Sequence, residues 1–344
     1  WRRALWRDRR CGRPCSNRHI ARLVLVKAIV LMGGFGTRLR PLTNDTPKQM
    51  LPIVGITMFE RVITRLGQCG VDEVVVSLGF RPDRFIDAFP DGVCAGVSLH
   101  YAVEPAPLDT AGAIAFAAAH GGIDETFLVL NGDVLGDLDF SWLVAQHRSH
   151  GGEATLHLTA VAEPSRFGVV VTDDDERVTA FIEKPALGTE PSNLINAGTY
   201  VFEPSVLELI ESGRKVSVER ETFPKLVERG QLYAVATADY WLDAGTPSAY
   251  LAANLDLIDG TRGSESAVHP TAQVDPTANI ERSCVGAGAV IGPEAVVRGS
   301  VIMENAHIGA RAQVLDSIVA SGGTVGTDAI VAEESICGFG AAVE

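Results

Sequence analysis

Three glycines, one arginine and a distant lysine fill the stretch GGFGTRLRPLTNDTPK, from Gly33 to Lys48. Gly33, Gly34 and Gly36 let backbone N–H groups approach phosphate oxygens with no Cβ in the way. Arg38 presents a planar fork suited to a polyphosphate. Pro41 and Pro47 stiffen the excursion to Lys48, which then reaches a phosphorus from a second side. The stretch is not a P-loop, because no lysine follows Gly36. Nor is it the dinucleotide fingerprint: counted from Gly34, the last glycine is replaced by Leu39. Two cations aimed from different directions suit a displacement at one phosphorus, with charge developing on both sides.

Such a loop needs rigid elements behind it. KAIVLMGG is a short apolar run ending in glycine, as a buried strand does. MFERVITRLGQCG has apolar residues at helical spacing, VDEVVVSLG reads as a strand, DTAGAIAFAAAHGG as a helix and TFLVLNGD as a strand. This alternation predicts a largely parallel sheet with helices on both faces. Ligands of such sheets sit at the carboxyl ends of the strands, where MGG and NGD both fall. After Gly152 the pattern turns to hairpins: FGVVVTDDDERVTAFIEKP, then LINAGTYVFEP and QLYAVATADYWLDAGT. A helix over 251–258 closes the first domain, and residues 259–266 read as a linker.

Beyond the linker, aliphatic residues recur every six positions. Val268, Val274 and Ile280 form one run, and Val285, Ile291, Val297 and Met303 another. Ile308 with Val314 and Val325 with Val331 continue the spacing. VGAGAV, IGPEAV, IGARAQ and VGTDAI share one template, the hexapeptide signature of a parallel β-helix. The reading is therefore α/β: a Rossmann-like, mixed but mostly parallel sheet over 27–258, followed by a left-handed parallel β-helix over 267–344.

The chain has 344 residues, 46% of them hydrophobic, enough for two domains. No apolar run is long enough for a membrane span. The six cysteines are scattered, which argues against structural zinc or a disulfide framework and fits a reducing cytoplasm. Residues 1–26 carry eight Arg and one Asp, whereas residues 27–344 carry a net charge of −21. The basic arm is expected to be disordered or to precede the true start of the protein. The acidic remainder argues against a nucleic-acid partner but not against a small phosphorylated substrate.

The stretch from Gly33 to Lys48 resembles the signature of the sugar-1-phosphate nucleotidyltransferases, or nucleoside-diphosphate-sugar pyrophosphorylases, and the resemblance extends from Lys27 to Glu344. It implies a reaction in which a sugar 1-phosphate attacks the α-phosphorus of a nucleoside triphosphate and pyrophosphate leaves. Arg38 and Lys48 then act on the phosphates, with Gly33, Gly34, Gly36 and Thr37 around the nucleotide. Asp133 of LNGD and Asp243 of WLDAGT stand where relatives hold Mg²⁺. Glu183 and Lys184 of FIEKP, with Gly168 and Asn196, match the sugar-phosphate side. The D-x-D formed by Asp137 and Asp139 is set aside as a metal site, because DFSWLVAQHR reads as a helix with Asp139 as its N-cap. His147, His150 and His157 have no partners in sequence and read as structural or solvated.

YAVEPAPLDTAGA places Glu104, Asp109 and Thr110 on the nucleotide side. Relatives that use uridine or thymidine nucleotides usually have Gln where Glu104 stands, and those that use guanosine nucleotides usually have Glu. A carboxylate accepts both N1–H and the N2 amino group of guanine, whereas uracil and thymine offer one N–H between two carbonyls. NLINAGTYVFEP and VSVERETFPKL are also similar to mannose-1-phosphate guanylyltransferases. Asp109 departs from the family, most of which has Gly there. The resemblance thus favours GTP and mannose 1-phosphate over dTTP or UTP with glucose 1-phosphate. A non-catalytic regulatory homologue would lack one of the signature residues, all of which are present. An acyltransferase would need a catalytic His on the coil surface, where His307 is the single mid-repeat candidate. The β-helix is expected to mediate homo-oligomer contacts.

Overall fold

The computed structural model describes residues 26–344. The expectation for the basic arm falls on residues 1–25, outside the described residues. The central sheet runs, edge to edge, Val178–Glu183, Gly168–Thr172, Leu194–Phe202, Phe127–Asn131, Ala28–Met32, Glu73–Leu78, Val97–Val103 and Val93–Cys94. The four strands from Phe127–Asn131 to Val97–Val103 are parallel. Leu194–Phe202 is antiparallel to Phe127–Asn131 and to Ala154–Ala160, which opens the hairpin half of the sheet.

The first strand shows why both faces are covered. Ile29 and Leu31 enter one hydrophobic core with the helix Asp109–Gly121. Ala28, Val30 and Met32 enter another with the helices Met58–Gln68 and Phe140–His150. Alternate side chains of a strand point to opposite faces, so an unbroken apolar run satisfies both layers at once. Thr57 caps Met58–Gln68 by accepting from Glu60 N at 3.1 Å. Asp139 caps Phe140–His150, with Oδ1 accepting from Ser141 N at 2.9 Å and Trp142 N at 3.2 Å.

The closing helix begins earlier than the sequence reading placed it, at Pro247. Thr246 caps it and Pro247 fills its first turn. The segment read as a linker is fastened: Glu265 pairs with Arg61 at 2.8 Å and Arg262 with Asp137 at 2.9 Å.

The C-terminal residues form three parallel ladders, as a left-handed parallel β-helix requires. Val274 pairs with Ile291, Ile291 with Ile308, and Ile308 with Val325. The earlier coils repeat every 17 residues rather than as three full hexapeptides, as the bond from Ser300 N to Ser283 Oγ shows, and the last coil restores the missing residue by pairing Ile318 with Ile336. That missing residue corrects one detail of the sequence reading. Ile302, not Met303, stacks on Val285 in the interior, and Met303 belongs to the core shared with the sheet domain. One column of the β-helix is serine: Ser300 N donates to Ser283 Oγ at 3.0 Å and Ser317 N to Ser300 Oγ at 3.1 Å.

The ladder containing Cys284, Val301 and Ile318 faces the sheet domain. These residues share a core with Leu39, Leu42, Leu51, Ala244 and the closing helix.

Candidate active site

The first strand ends at Met32 and the chain leaves the sheet through Gly33 and Gly34. Gly36 adopts φ 58°, and a short 3-10 turn, Thr37–Leu39, follows. Leu39 is fully buried while Thr37 and Arg38 are exposed, so the apolar side chain anchors the turn that presents the cation. Thr43 Oγ1 donates to Gly36 O at 2.7 Å, Leu39 N to Gly36 O at 2.9 Å and Leu42 N to Leu39 O at 2.9 Å. These bonds bind residues 36–43 into one block.

Lys48 returns beneath that block, buried, and donates to Asp133 Oδ2. Asp133 lies between the strand Phe127–Asn131 and a short strand, Val134–Gly136. This short strand forms an antiparallel ribbon with Trp241–Asp243, in which Asp243 stands opposite Val134. Ala244 N completes the junction by donating to Asp133 O at 3.3 Å. The ribbon thus carries Asp243 beside Asp133. Burial pushes the Asp243 carboxyl above its ordinary value, and the neighbouring charge of Asp133 adds to that shift; Lys48 and Arg38 oppose it. Arg38 reaches the same point. A methyl group placed on Gly245 would lie 2.7 Å from Arg38 Nη2 and 2.9 Å from Asp243 Oδ1. Two cations and two carboxylates therefore converge at the carboxyl end of the sheet.

From Asp133 a cleft of about 650 Å³ extends along Gly33, Gly34, Glu104, Asp109 and Thr110. Glu104 is held by two donors: Ser77 Oγ to Oε1 and Leu108 N to Oε2, each at 3.1 Å. Each carboxylate oxygen keeps a further lone pair for a ligand. Asp109 sits at φ 61°. This left-handed conformation costs an L-residue energy, and Asp is among the few side chains that tolerate it. The same geometry gives glycine a reason to stand at this position in relatives. Thr110 lines the cleft, as the sequence suggested, and has a structural task as well. Its hydroxyl donates to Glu219 Oε2 and accepts from Val218 N, each at 2.8 Å. It fastens the cleft wall to the segment Val218–Thr222.

On the opposite side, Gly168 pairs with Glu183 across a hairpin. Lys184 Nζ lies 3.3 Å from Glu183 Oε1. On the neighbouring strand, Asn196 Nδ2 donates to the Tyr200 hydroxyl at 2.9 Å, and Asn196 Oδ1 accepts from Gly198 N at 3.0 Å. Burial pushes the Tyr200 phenol upward, with smaller contributions from Glu219, Glu183 and Asp133. Asp137 is engaged by Arg262 and Asp139 by its own helix, so neither joins the convergent carboxylates.

Sequence reasoning missed part of the cleft wall. Phe35, Phe80 and Arg81 line it, and the two rings meet edge to face with centroids 5.2 Å apart. Phe80 and Arg81 follow the strand Glu73–Leu78, so the strand-end rule that selected Gly33 pointed to them as well. Gln49 was missed too: its Nε2 donates to Gly33 O at 3.3 Å while its Oε1 is buried without a partner.

Residues 27–260 match the Nucleotidyl transferase family, and residues 263–344 match the GMPPB C-terminal domain. The chain belongs to the nucleotidyl transferase family. It is 41% identical over 275 residues to a Mycobacterium tuberculosis protein named mannose-1-phosphate guanylyltransferase, covering 77% of this chain and 76% of the other. It is 38% identical to mannose-1-phosphate guanylyltransferase 1 of Arabidopsis thaliana, covering 76% and 74%. Among solved structures, HddC from Yersinia pseudotuberculosis complexed with GMP-PN is 29% identical. That match covers 67% of this chain and 98% of that one, with a TM-score of 0.58.

Proposed function

We propose that this nucleotidyl transferase joins GTP and mannose 1-phosphate to give GDP-mannose and pyrophosphate. The observation that carries the reading is the convergence of Arg38, Lys48, Asp133 and Asp243 at one end of a cleft whose far wall presents Glu104. A phosphate oxygen of the sugar 1-phosphate attacks the α-phosphorus. The bond from that phosphorus to the oxygen bridging to the β-phosphate breaks, and the electron pair leaves with pyrophosphate. Backbone N–H groups of the glycine loop cradle the triphosphate. Arg38 and Lys48 oppose the negative charge that develops on the entering and leaving oxygens. Glu104 accepts from guanine N1–H and N2–H. Glu183, Lys184 and Asn196 hold the sugar and its phosphate, with Gly168 leaving room for the Glu183 carboxylate that an added Cβ would crowd.

Asp133 and Asp243 fit a divalent cation, Mg²⁺ in this reading. Asp243 Oδ1 is buried with no hydrogen-bond donor, and a buried carboxylate oxygen without a donor calls for a cation. Among the described residues no cluster of three or more His, Cys, Asp or Glu is arranged to hold a metal. Two carboxylates leave positions for substrate phosphates and water, as Mg²⁺ prefers. Bound there, it would neutralise charge on the triphosphate. The β-helix, in the same reading, joins copies of the chain into an oligomer.

The test is pyrophosphate release over a grid of GTP, dTTP and UTP against mannose 1-phosphate and glucose 1-phosphate. The highest kcat/KM is expected for GTP with mannose 1-phosphate. Preference for dTTP or UTP with glucose 1-phosphate would overturn the guanylyl assignment, and no turnover with any pair would overturn the enzyme reading.

A further inference from the structure

Besides the shared core, the β-helix meets the catalytic loop at Gly338, where an added Cβ would crowd Pro41. Gly338 lies in the last coil, directly after the strand Ile336–Cys337. A Cβ on Gly338 would lie 2.9 Å from Pro41 Cγ and 3.4 Å from Pro41 Cβ. Its backbone is not among those with positive φ, so conformation alone would accept an alanine or a valine here. The restriction comes from Pro41, which follows Arg38 by three positions.

What lies on either side of that contact gives it a consequence. Pro41 belongs to the hydrogen-bonded block formed by Gly36, Leu39, Leu42 and Thr43. A displacement at Pro41 is therefore passed to Arg38 rather than absorbed between them. Leu39 and Leu42, on either side of Pro41, are fully buried in the core that Val301 and Ile318 of the β-helix help to build. At the far end, the Arg38 guanidinium and the Asp243 carboxylate meet beside Gly245, where an added Cβ would touch both.

We propose that the last coil of the β-helix sets the position of the catalytic loop, with Gly338 as a positioning residue that acts on Arg38 through Pro41. This rests on the reading of Arg38 as a group that stabilises the transition state. The β-helix is then a support for phosphoryl chemistry in its own subunit, in addition to any part in assembly.

Three single variants of the full chain test it: Gly338→Val, Arg38→Ala and Val331→Ala. Val331 is a buried residue of the β-helix interior and not of the core shared with the loop, so its truncation weakens the coils without touching the loop. Each protein is assayed for kcat, both KM values, Tm and oligomeric mass. Gly338→Val is expected to lower kcat about 10- to 100-fold, the scale of a sub-ångström to ångström misplacement of a catalytic group, while both KM values stay within about threefold. Val331→Ala should lower Tm with kcat unchanged. Replacing Pro41 with Ala removes the Cγ that the new Cβ meets, so the double variant Gly338→Val with Pro41→Ala should recover part of the kcat lost by Gly338→Val. A wild-type kcat in Gly338→Val beside a large loss in Arg38→Ala would overturn the positioning role alone. A loss of kcat in Val331→Ala equal to that in Gly338→Val would overturn it too, because any weakened coil would then suffice. A wild-type kcat in Arg38→Ala would instead overturn the reading beneath it.

Discussion

Lys48 donates its ammonium to Asp133, so the cation and the carboxylate that the chemistry assigns to opposite tasks are partners at the floor of the cleft. Asp243 has no such partner for its buried Oδ1. The two carboxylates therefore fail differently. Asp133→Asn leaves Lys48 without its anion, whereas Asp243→Asn leaves the Lys48 pair intact. Both substitutions are expected to bring turnover close to zero, as a chelator should in the wild type. Asp243→Asn should keep the wild-type Tm. Robust pyrophosphate release by Asp243→Asn would remove the two-carboxylate assignment.

In the proposed reaction Arg38 and Lys48 act on the phosphorus from separate segments, one exposed on a turn and one buried beneath it. Replacing either with Ala is expected to lower kcat about 10²- to 10³-fold, the scale of one preorganised donor, with KM changed far less. Steady-state kinetics with both substrates varied measures the split. An effect confined to KM would reassign that residue to ground-state binding.

Glu104 offers the sharpest test of the base. In Glu104→Gln the side-chain oxygen must face Leu108 N–H and the amide nitrogen must face Ser77, which fixes the orientation of the new group. The carboxamide then presents a donor where guanine needs an acceptor. An unpaired polar group costs about 1–3 kcal/mol, so the ratio of kcat/KM for GTP to that for dTTP or UTP should fall about 5- to 150-fold. A ratio that does not move would clear Glu104 of base reading and turn attention to Asp109.

Stability should weaken in mild acid, and His157 supplies part of the reason. It is buried against Thr237, with Nε2 and Oγ1 2.9 Å apart. Burial lowers its imidazole from 6.5 to about 4. Between those values the unfolded chain holds a proton that the native one lacks, so stability falls as pH falls from 6.5 and levels off below about 4. Burial also lowers His147, which acts in the same direction. Urea midpoints measured from pH 7 to pH 5 should decline less in His157→Gln than in the wild type, by on the order of 2 kcal/mol at pH 5. Parallel declines would show that His157 is not the group responsible.

Much of this architecture could be read directly. The glycine loop, the alternating strands and helices and the Asp139 cap depend on residues close in sequence, and local patterning specifies them. The contacts that could not be read are non-local or depend on register. Asp133 and Asp243 meet because a two-stranded ribbon sets Asp243 opposite Val134, and no spacing encodes that pairing. Thr110 lines the cleft as expected, but its hydrogen bonds to Glu219 and Val218 join segments far apart in sequence. The β-helix was recognisable from its six-residue period, but the earlier coils, 17 residues long, each drop one position. A reading that counts strictly by six therefore slips from Ile302 to Met303. The contact of Gly338 with Pro41 joins the two ends of the described chain and leaves no local trace.

The serine column also bears on how the C-terminal part acquires its structure. Ser300 accepts from Ser317 N while its own hydroxyl donates to Arg298 O at 2.7 Å. Ser283 and Ser300 thus each offer the next coil a half-finished hydrogen bond, completed only when the neighbour arrives. Interactions of this nearest-neighbour kind propagate from a seed. The coils nearest the catalytic domain are the natural seed, because Cys284 and Val301 already lie in a core shared with the closing helix. Assembly should then run like a zipper toward the C-terminus, and the coil that reaches Pro41 would close last. A chain stalled partway would hold a finished nucleotide cleft whose catalytic loop still lacks its final brace.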